Sequence, residues 1–190
     1  MPDNIWNDEP AVVDLLDRAQ FARALAYVGT TCETPLVIGV YGTWGIGKTS
    51  LLRLIKGRVD QENSARTVWF DAWQHQFDEN PAVALLHTMV DELGLGDEGK
   101  RLLYVIASAL GGAALKATKL ITAKDVHEIE ERYEVERFLI REKQVRLRKH
   151  FAELLNQATK NGEIRLVFFI DDLDRCVPEQ VLRVLEALKL

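Results

Sequence analysis

The sequence contains few of the residues that build disulfide frameworks and metal clusters. It has two cysteines, Cys32 and Cys176, without a C-x-x-C motif and without a histidine near either of them in metal-ligand spacing. Such a pair is typical of reduced thiols in a cytosolic protein. The four histidines also show no H-x-x-x-H or H-E-x-x-H spacing. These absences argue against a secreted disulfide-rich fold and against a zinc site.

The chain also lacks a surplus of positive charge and a long apolar segment. Its formal net charge is −5, whereas a general nucleic-acid binder needs clustered lysine and arginine to neutralise phosphates. Residues 1–4 do not resemble the start of a secretory signal. The apolar run at residues 102–115 is shorter than the about 20 residues of a spanning helix. We therefore expect a cytoplasmic protein without nucleic acid as a direct general ligand. At 102–115 we expect a buried or interfacial helix that does not span a membrane, with membrane association as the alternative.

The remaining pattern alternates short apolar runs with amphipathic helices, which is typical of an α/β fold with a parallel sheet. The sequence predicts strands at residues 36–41, 67–70 and 164–170. It predicts helices over 12–28, from 50, over 81–93, over 125–160 and from 178. The charge-free run 36–41 in particular predicts a strand that is buried on both faces of the sheet.

A glycine-rich segment follows the first predicted strand. It reads G-T-W-G-I-G-K-T and matches the phosphate-binding pattern G-x-x-x-x-G-K-[ST] at every fixed position. Glycines let the backbone fold around phosphates with its N–H groups inward, and the following helix adds its positive end. Lys48 is predicted to contact the β- and γ-phosphates, and Thr49 to ligate Mg²⁺. The residues predicted to bind nucleotide are Gly42, Thr43, Trp44, Gly45, Ile46, Gly47, Lys48, Thr49 and Ser50.

The third predicted strand runs into a pair of carboxylates, Asp171 and Asp172. A phosphate-binding loop needs a carboxylate for its metal, and we assign Asp171 to Mg²⁺, directly or through a water. Asp172 is then placed to accept a proton from the attacking water or to orient it, with a plain turn carboxylate as the alternative. Lys48 and Asp172 are therefore the predicted catalytic residues. The chain between Lys48 and Asp171 is longer than a minimal doubly wound domain needs, which predicts a helical insertion.

With these motifs, the sequence resembles the KAP family of P-loop NTPases. V-I-G-V-Y-G-T-W-G-I-G-K-T-S at residues 37–50 is similar to that family's Walker A motif, and F-F-I-D-D-L-D-R at 168–175 to its Walker B motif. V-W-F-D-A-W at 68–73 is similar to its aromatic strand, although asparagine is more usual there than Asp71. D-R-x-x-F-A at 17–22 is similar to its opening helix.

The resemblance implies a three-layer P-loop core of the additional-strand type, in which the Walker B strand does not follow the P-loop strand directly in sequence. It implies one domain over residues 1–190. The parts of this domain are an N-terminal helix (1–30), a Walker A half (31–93), a helical insertion (94–160), and the Walker B strand with its following helix (161–190). Family members continue to a sensor strand and a helical region, so we expect the C-terminal part to be missing.

The resemblance also implies an ATPase that uses ATP and Mg²⁺, and bacterial members are associated with phage exclusion. Loss of the γ-phosphate is expected to drive a switch or motor, with a protein partner or self-association. The alternative function is a nucleotide-loaded interaction module with little turnover. A small-molecule phosphotransferase ranks last because we identify no arginine-rich lid, and ATP is expected over GTP because the sequence has no N-K-x-D motif.

Overall fold

The computed structural model describes residues 17–62, 65–78, 80–110 and 140–187. In chain order the elements are α1 (Ala19–Thr31), α2 (Lys48–Gln61), β1 (Ala65–Asp71), α3 (Pro81–Glu92), α4 (Gly96–Leu110), α5 (Ile140–Thr159), β2 (Arg165–Asp171), a 3₁₀ turn (Leu173–Arg175) and α6 (Pro178–Ala187). These elements form two compact units, with the boundary between Thr67 and Val68. Each unit is therefore described by itself.

The first unit is built on the packing of α1 against α2. Both helices bury residues at intervals of three to four positions, as amphipathic helices do. The buried residues are Ala22 and Ala26 in α1 and Leu51, Ile55 and Val59 in α2. The helix predicted for residues 12–28 begins at Ala19 among the described residues and continues to Thr31. Its predicted first part, residues 12–16, lies outside the described chain.

The strand predicted for residues 36–41 is not formed. These residues have no regular secondary structure, and Val37 and Tyr41 are 71% and 93% exposed. A strand needs a neighbour for its backbone N–H and C=O groups, and the sheet formed by the described residues contains β1 and β2 alone. The prediction of a buried strand was therefore wrong, because it inferred a neighbouring strand from hydrophobicity only. The three-layer core stays a prediction.

The sheet consists of β1 and β2, and the second unit contains β2 and β1 from Val68 onward. The N–H of Ala72, just past β1, donates to the carbonyl oxygen of Asp171, the last residue of β2, at 3.0 Å. Both strands thus end at the same edge of the sheet, so they are parallel. The rings of Trp69 and Phe169 stack with their centroids 6.1 Å apart, which fixes the register. The predicted strands at 67–70 and 164–170 are confirmed, and with them the α/β class.

The sheet packs against helices through two apolar clusters. One cluster contains Val68, Leu86, Met89, Val90, Leu102, Leu103, Ile106, Leu154 and Ala158. The other contains Phe70, Ala72, Ala84, Leu85 and Val184. The predicted start of α3 is confirmed: Asn80 caps the helix by accepting a hydrogen bond from the N–H of Ala82 at 3.0 Å, and Pro81 occupies the first turn.

The apolar run at 102–115 begins inside α4. Its first residues Leu102, Leu103 and Ile106 are buried in the core, as the prediction of a buried helix requires, while residues 111–115 lie outside the described chain. Among the residues that the structure describes, no helix combines the length and the apolar character needed to span a bilayer. The predicted helix 125–160 is confirmed for Ile140–Thr159, and residues 125–139 also lie outside the described chain.

Candidate functional site

The glycine-rich segment 42–49 forms a turn that leads directly into α2. Gly45 and Gly47 have φ angles of +77° and +86°, a left-handed region that residues with a Cβ adopt only at a cost. The N–H of Ile46 donates to the carbonyl oxygen of Thr43 at 3.4 Å. Gly47 is the N-cap of α2. The segment therefore combines a glycine turn with a helix N-terminus, an arrangement that binds anions.

Lys48 is the first residue of α2, and its side chain lies back over this turn. Its Nζ donates to the carbonyl oxygens of Gly42 at 3.2 Å and Thr43 at 3.3 Å. Thr49 and Ser50 follow in the first turn of α2 and are half-buried. The structure thus brings the predicted phosphate-binding residues together within the first unit, with the ammonium charge at the opening of the turn.

A cleft of about 280 Å³ lies beside the turn. Its lining includes Ile46 and Lys48 of the turn, Tyr41 before it, and Asp17, Arg18 and Phe21 at the start of α1. Nη1 of Arg18 donates a long hydrogen bond of 3.4 Å to the carbonyl oxygen of Gly47. The start of α1 and the glycine turn therefore form one concave surface with cationic, acidic and aromatic groups.

Sequence reasoning did not include Arg18 and Phe21 among the site residues. Their signal is the D-R-x-x-F-A motif at 17–22, which above predicted only an opening helix. Periodicity explains Ala22 and Ala26, which are buried against α2. It does not explain Phe21, which lies three positions after Arg18 and is exposed. This arginine–phenylalanine pair was the feature of the sequence that could have indicated a binding site.

The second unit holds the other predicted residues at the carboxyl edge of its sheet. Asp71 ends β1 and Asp171 ends β2, and the register places them side by side on one face. Asp171 is buried, with 8% of its surface exposed. The carboxylate of Asp71 accepts hydrogen bonds from the N–H groups of Trp73 and Gln74 at 3.1 and 3.2 Å, so it stabilises the turn after β1.

Asp172 follows in a turn with a left-handed backbone, at φ +53°. Its Oδ1 forms an ion pair with Nε of Arg175 at 2.9 Å. Burial raises the pKa of the Asp172 carboxyl above its ordinary value, the charge of Asp171 adds to the rise, and Arg175 opposes it. This edge of the sheet is therefore negatively charged and partly shielded from water.

Residues 18–190 match the KAP family P-loop domain. Neither the curated proteins nor the solved structures contain a match to the chain. The family match includes the glycine turn, the acidic sheet edge and the helices between them, and a P-loop domain is a nucleotide-binding domain. The chain therefore belongs to the KAP family of P-loop domains.

Proposed function

We propose that this chain binds ATP together with Mg²⁺ at residues 42–50 and hydrolyses the terminal phosphate. The observation that carries the proposal is the position of Lys48, whose Nζ lies 3.2 and 3.3 Å from the carbonyl oxygens of Gly42 and Thr43. Phosphate oxygens are charged and accept stronger hydrogen bonds than neutral carbonyls do. A triphosphate over the turn is therefore the better partner for this ammonium group.

The backbone of the turn supports the same ligand. The left-handed Gly45 and Gly47 allow the chain to reverse direction directly before α2. We propose that N–H groups of residues 42–50 contact the β- and γ-phosphates, and that the positive end of α2 lies beneath them. ATP is preferred to GTP in this proposal because the sequence has no N-K-x-D motif for guanine.

We assign Thr49 and Asp171 to Mg²⁺. Each residue offers an oxygen of the hard type that Mg²⁺ prefers, a hydroxyl from Thr49 and a carboxylate from Asp171. Asp171 is also buried, and a buried carboxylate is costly unless a cation or hydrogen bonds compensate its charge. Among the described residues, no group of three or more His, Cys, Asp and Glu side chains is arranged to hold a metal. Magnesium needs no such group, because it commonly uses one or two protein oxygens with phosphates and waters. When bound, it supplies positive charge to the phosphate oxygens.

We assign Asp172 as the residue that orients the attacking water or accepts its proton. The left-handed backbone at Asp172 turns the chain away from β2 immediately after Asp171. The ion pair with Arg175 at 2.9 Å limits the movement of the carboxylate. A restrained carboxylate one residue after a metal ligand is suited to hold a water near the terminal phosphate.

The proposal is tested by phosphate release from Mg·ATP. The purified chain is compared with Lys48→Ala and with Lys56→Ala, a control on the same helix whose ammonium is paired with Asp60 at 2.7 Å. We expect release by the wild type and by Lys56→Ala, and loss of release in Lys48→Ala. Equal release by Lys48→Ala contradicts the proposal. ATP binding without release by the wild type supports a nucleotide-loaded interaction module instead.

We further propose that hydrolysis acts as a switch. Departure of the γ-phosphate removes an acceptor from Lys48, and the carbonyl oxygens of Gly42 and Thr43 are close enough to take its place.

We also propose, from the family resemblance alone, that this chain acts in anti-phage defence. It is tested by plating phages on cells that carry the wild type or Lys48→Ala, and equal plating on the two strains contradicts it.

A further inference from the structure

We infer that the cleft beside the glycine turn binds the nucleoside part of the nucleotide, with Phe21 and Tyr41 as its apolar walls. The inference rests on the proposed function, because it places the base and ribose of a ligand whose phosphates lie over the turn. It assigns a binding role to the start of α1, which the phosphate chemistry alone does not use.

The first argument is continuity between the cleft and the phosphate site. Ile46 and Lys48 belong to the glycine turn and also line the cleft. Arg18 also lines the cleft and donates a hydrogen bond to the carbonyl oxygen of Gly47 at 3.4 Å. A single ligand that contacts Lys48 through its phosphates therefore has this cleft directly next to it.

The second argument is size. The cleft volume of about 280 Å³ lies near the lower end of the roughly 300–1,000 Å³ that small-molecule pockets have. Such a volume suits a base with its ribose and not a whole nucleoside triphosphate. The ligand would then have its base and ribose inside the cleft and its phosphates outside it, over the glycine turn.

The third argument is the chemistry of the walls. Phe21 and Tyr41 line the cleft while 56% and 93% of their surfaces stay exposed to water. Both rings therefore have free faces on which a flat base can stack. Asp17 lines the same cleft, and its carboxylate is an acceptor for ribose hydroxyls or base amino groups.

The inference is tested by comparing two ligands that share phosphates and differ in the nucleoside. Binding of ATP and of inorganic tripolyphosphate, each with Mg²⁺, is measured by calorimetry on the wild type, Phe21→Ala and Tyr41→Ala. Loss of base–aromatic contact is expected to weaken ATP binding by about fivefold to 100-fold. Binding of tripolyphosphate is expected to remain unchanged, because that ligand has no nucleoside.

Two further variants distinguish a failure of the nucleoside assignment from a failure of the proposed function. Tyr27→Ala removes an aromatic residue of α1 that is 65% exposed and does not line the cleft, and it is expected to bind both ligands as the wild type does. Lys48→Ala is expected to weaken both ligands. The nucleoside assignment is overturned if Phe21→Ala and Tyr41→Ala bind ATP normally while Lys48→Ala does not, or if they weaken both ligands equally. A Lys48→Ala variant that binds both ligands normally overturns the proposed function itself.

Discussion

The ammonium nitrogen of Lys48 lies 3.2 Å from the carbonyl oxygen of Gly42, across the turn that joins the two residues. The partner of this charge is a backbone atom, so the position of the charge depends on the path of the main chain. That path passes through Gly45 and Gly47, both in the left-handed region. The affinity for phosphate is therefore expected to depend on the conformation of the turn as much as on the lysine.

Replacement of Gly47 by alanine tests this dependence. A Cβ at φ +86° is strained, and here it also meets Nη1 of Arg18 at 3.4 Å. We expect a decrease in the free energy of unfolding of about 1–2 kcal/mol together with weaker ATP binding, measured by thermal unfolding and calorimetry. Gly57→Ala on the same helix is the control: its Cβ meets no atom within 4 Å, so it is expected to raise stability by about 0.5–1 kcal/mol. Normal stability and binding in Gly47→Ala would contradict the account.

Removal of the charge of Asp171 tests the magnesium assignment. Asp171→Asn is expected to weaken ATP binding in the presence of Mg²⁺ by at least about tenfold, while binding without Mg²⁺ changes little. Asp174→Asn makes the same charge change at an exposed position of the neighbouring turn and is expected to keep the Mg²⁺ dependence. A wild-type Mg²⁺ dependence in Asp171→Asn would show that this carboxylate is not a metal ligand.

Two substitutions of Asp172 separate its backbone from its carboxylate. Asparagine and glycine both tolerate φ +53°, so Asp172→Asn and Asp172→Gly are expected to fold. Both lose the carboxylate, and we expect kcat for ATP hydrolysis to fall by about 10²–10⁴-fold with ATP binding retained. Hydrolysis at the wild-type rate in either variant would leave Asp172 as a plain turn residue.

Truncation of Ile106 tests the burial of α4. Ile106 is fully buried in the same cluster as Met89 and Leu154, so Ile106→Ala is expected to lower the free energy of unfolding by about 2–5 kcal/mol. Arg101→Ala, exposed on the same helix, is expected to change it by less than about 0.5 kcal/mol. Denaturant titration measures both. Equal stability of the two variants would argue that this face of α4 does not pack inside the protein.

Local chemistry made much of the fold predictable. The start of α3 follows from the Asn80 cap and Pro81, and the end of α5 follows from Asn161 and Gly162, which have φ angles of +59° and +85°. The two observed strands are apolar runs with a partner in the sheet. These features depend on a few neighbouring residues, which a sequence displays directly.

The sequence predictions were wrong or incomplete where the local structure depends on residues that are distant in the chain. Residues 36–41 have the hydrophobicity of a buried strand, yet the structure gives them no strand neighbour. In the candidate site, the glycine turn was predictable from its motif. The motif at 17–22 marked Arg18 and Phe21, but their position beside the glycine turn was not predictable, because it depends on the packing of α1 on α2.

The central claim is that the glycine turn binds a nucleotide through Lys48, and a calorimetric titration of ATP with and without Mg²⁺ tests it most directly. The account predicts saturable binding by the folded wild type and by Lys56→Ala, stronger with Mg²⁺, and binding at least about tenfold weaker in Lys48→Ala. A folded wild-type chain that does not bind ATP, or a Lys48→Ala variant that binds it equally well, would contradict the account.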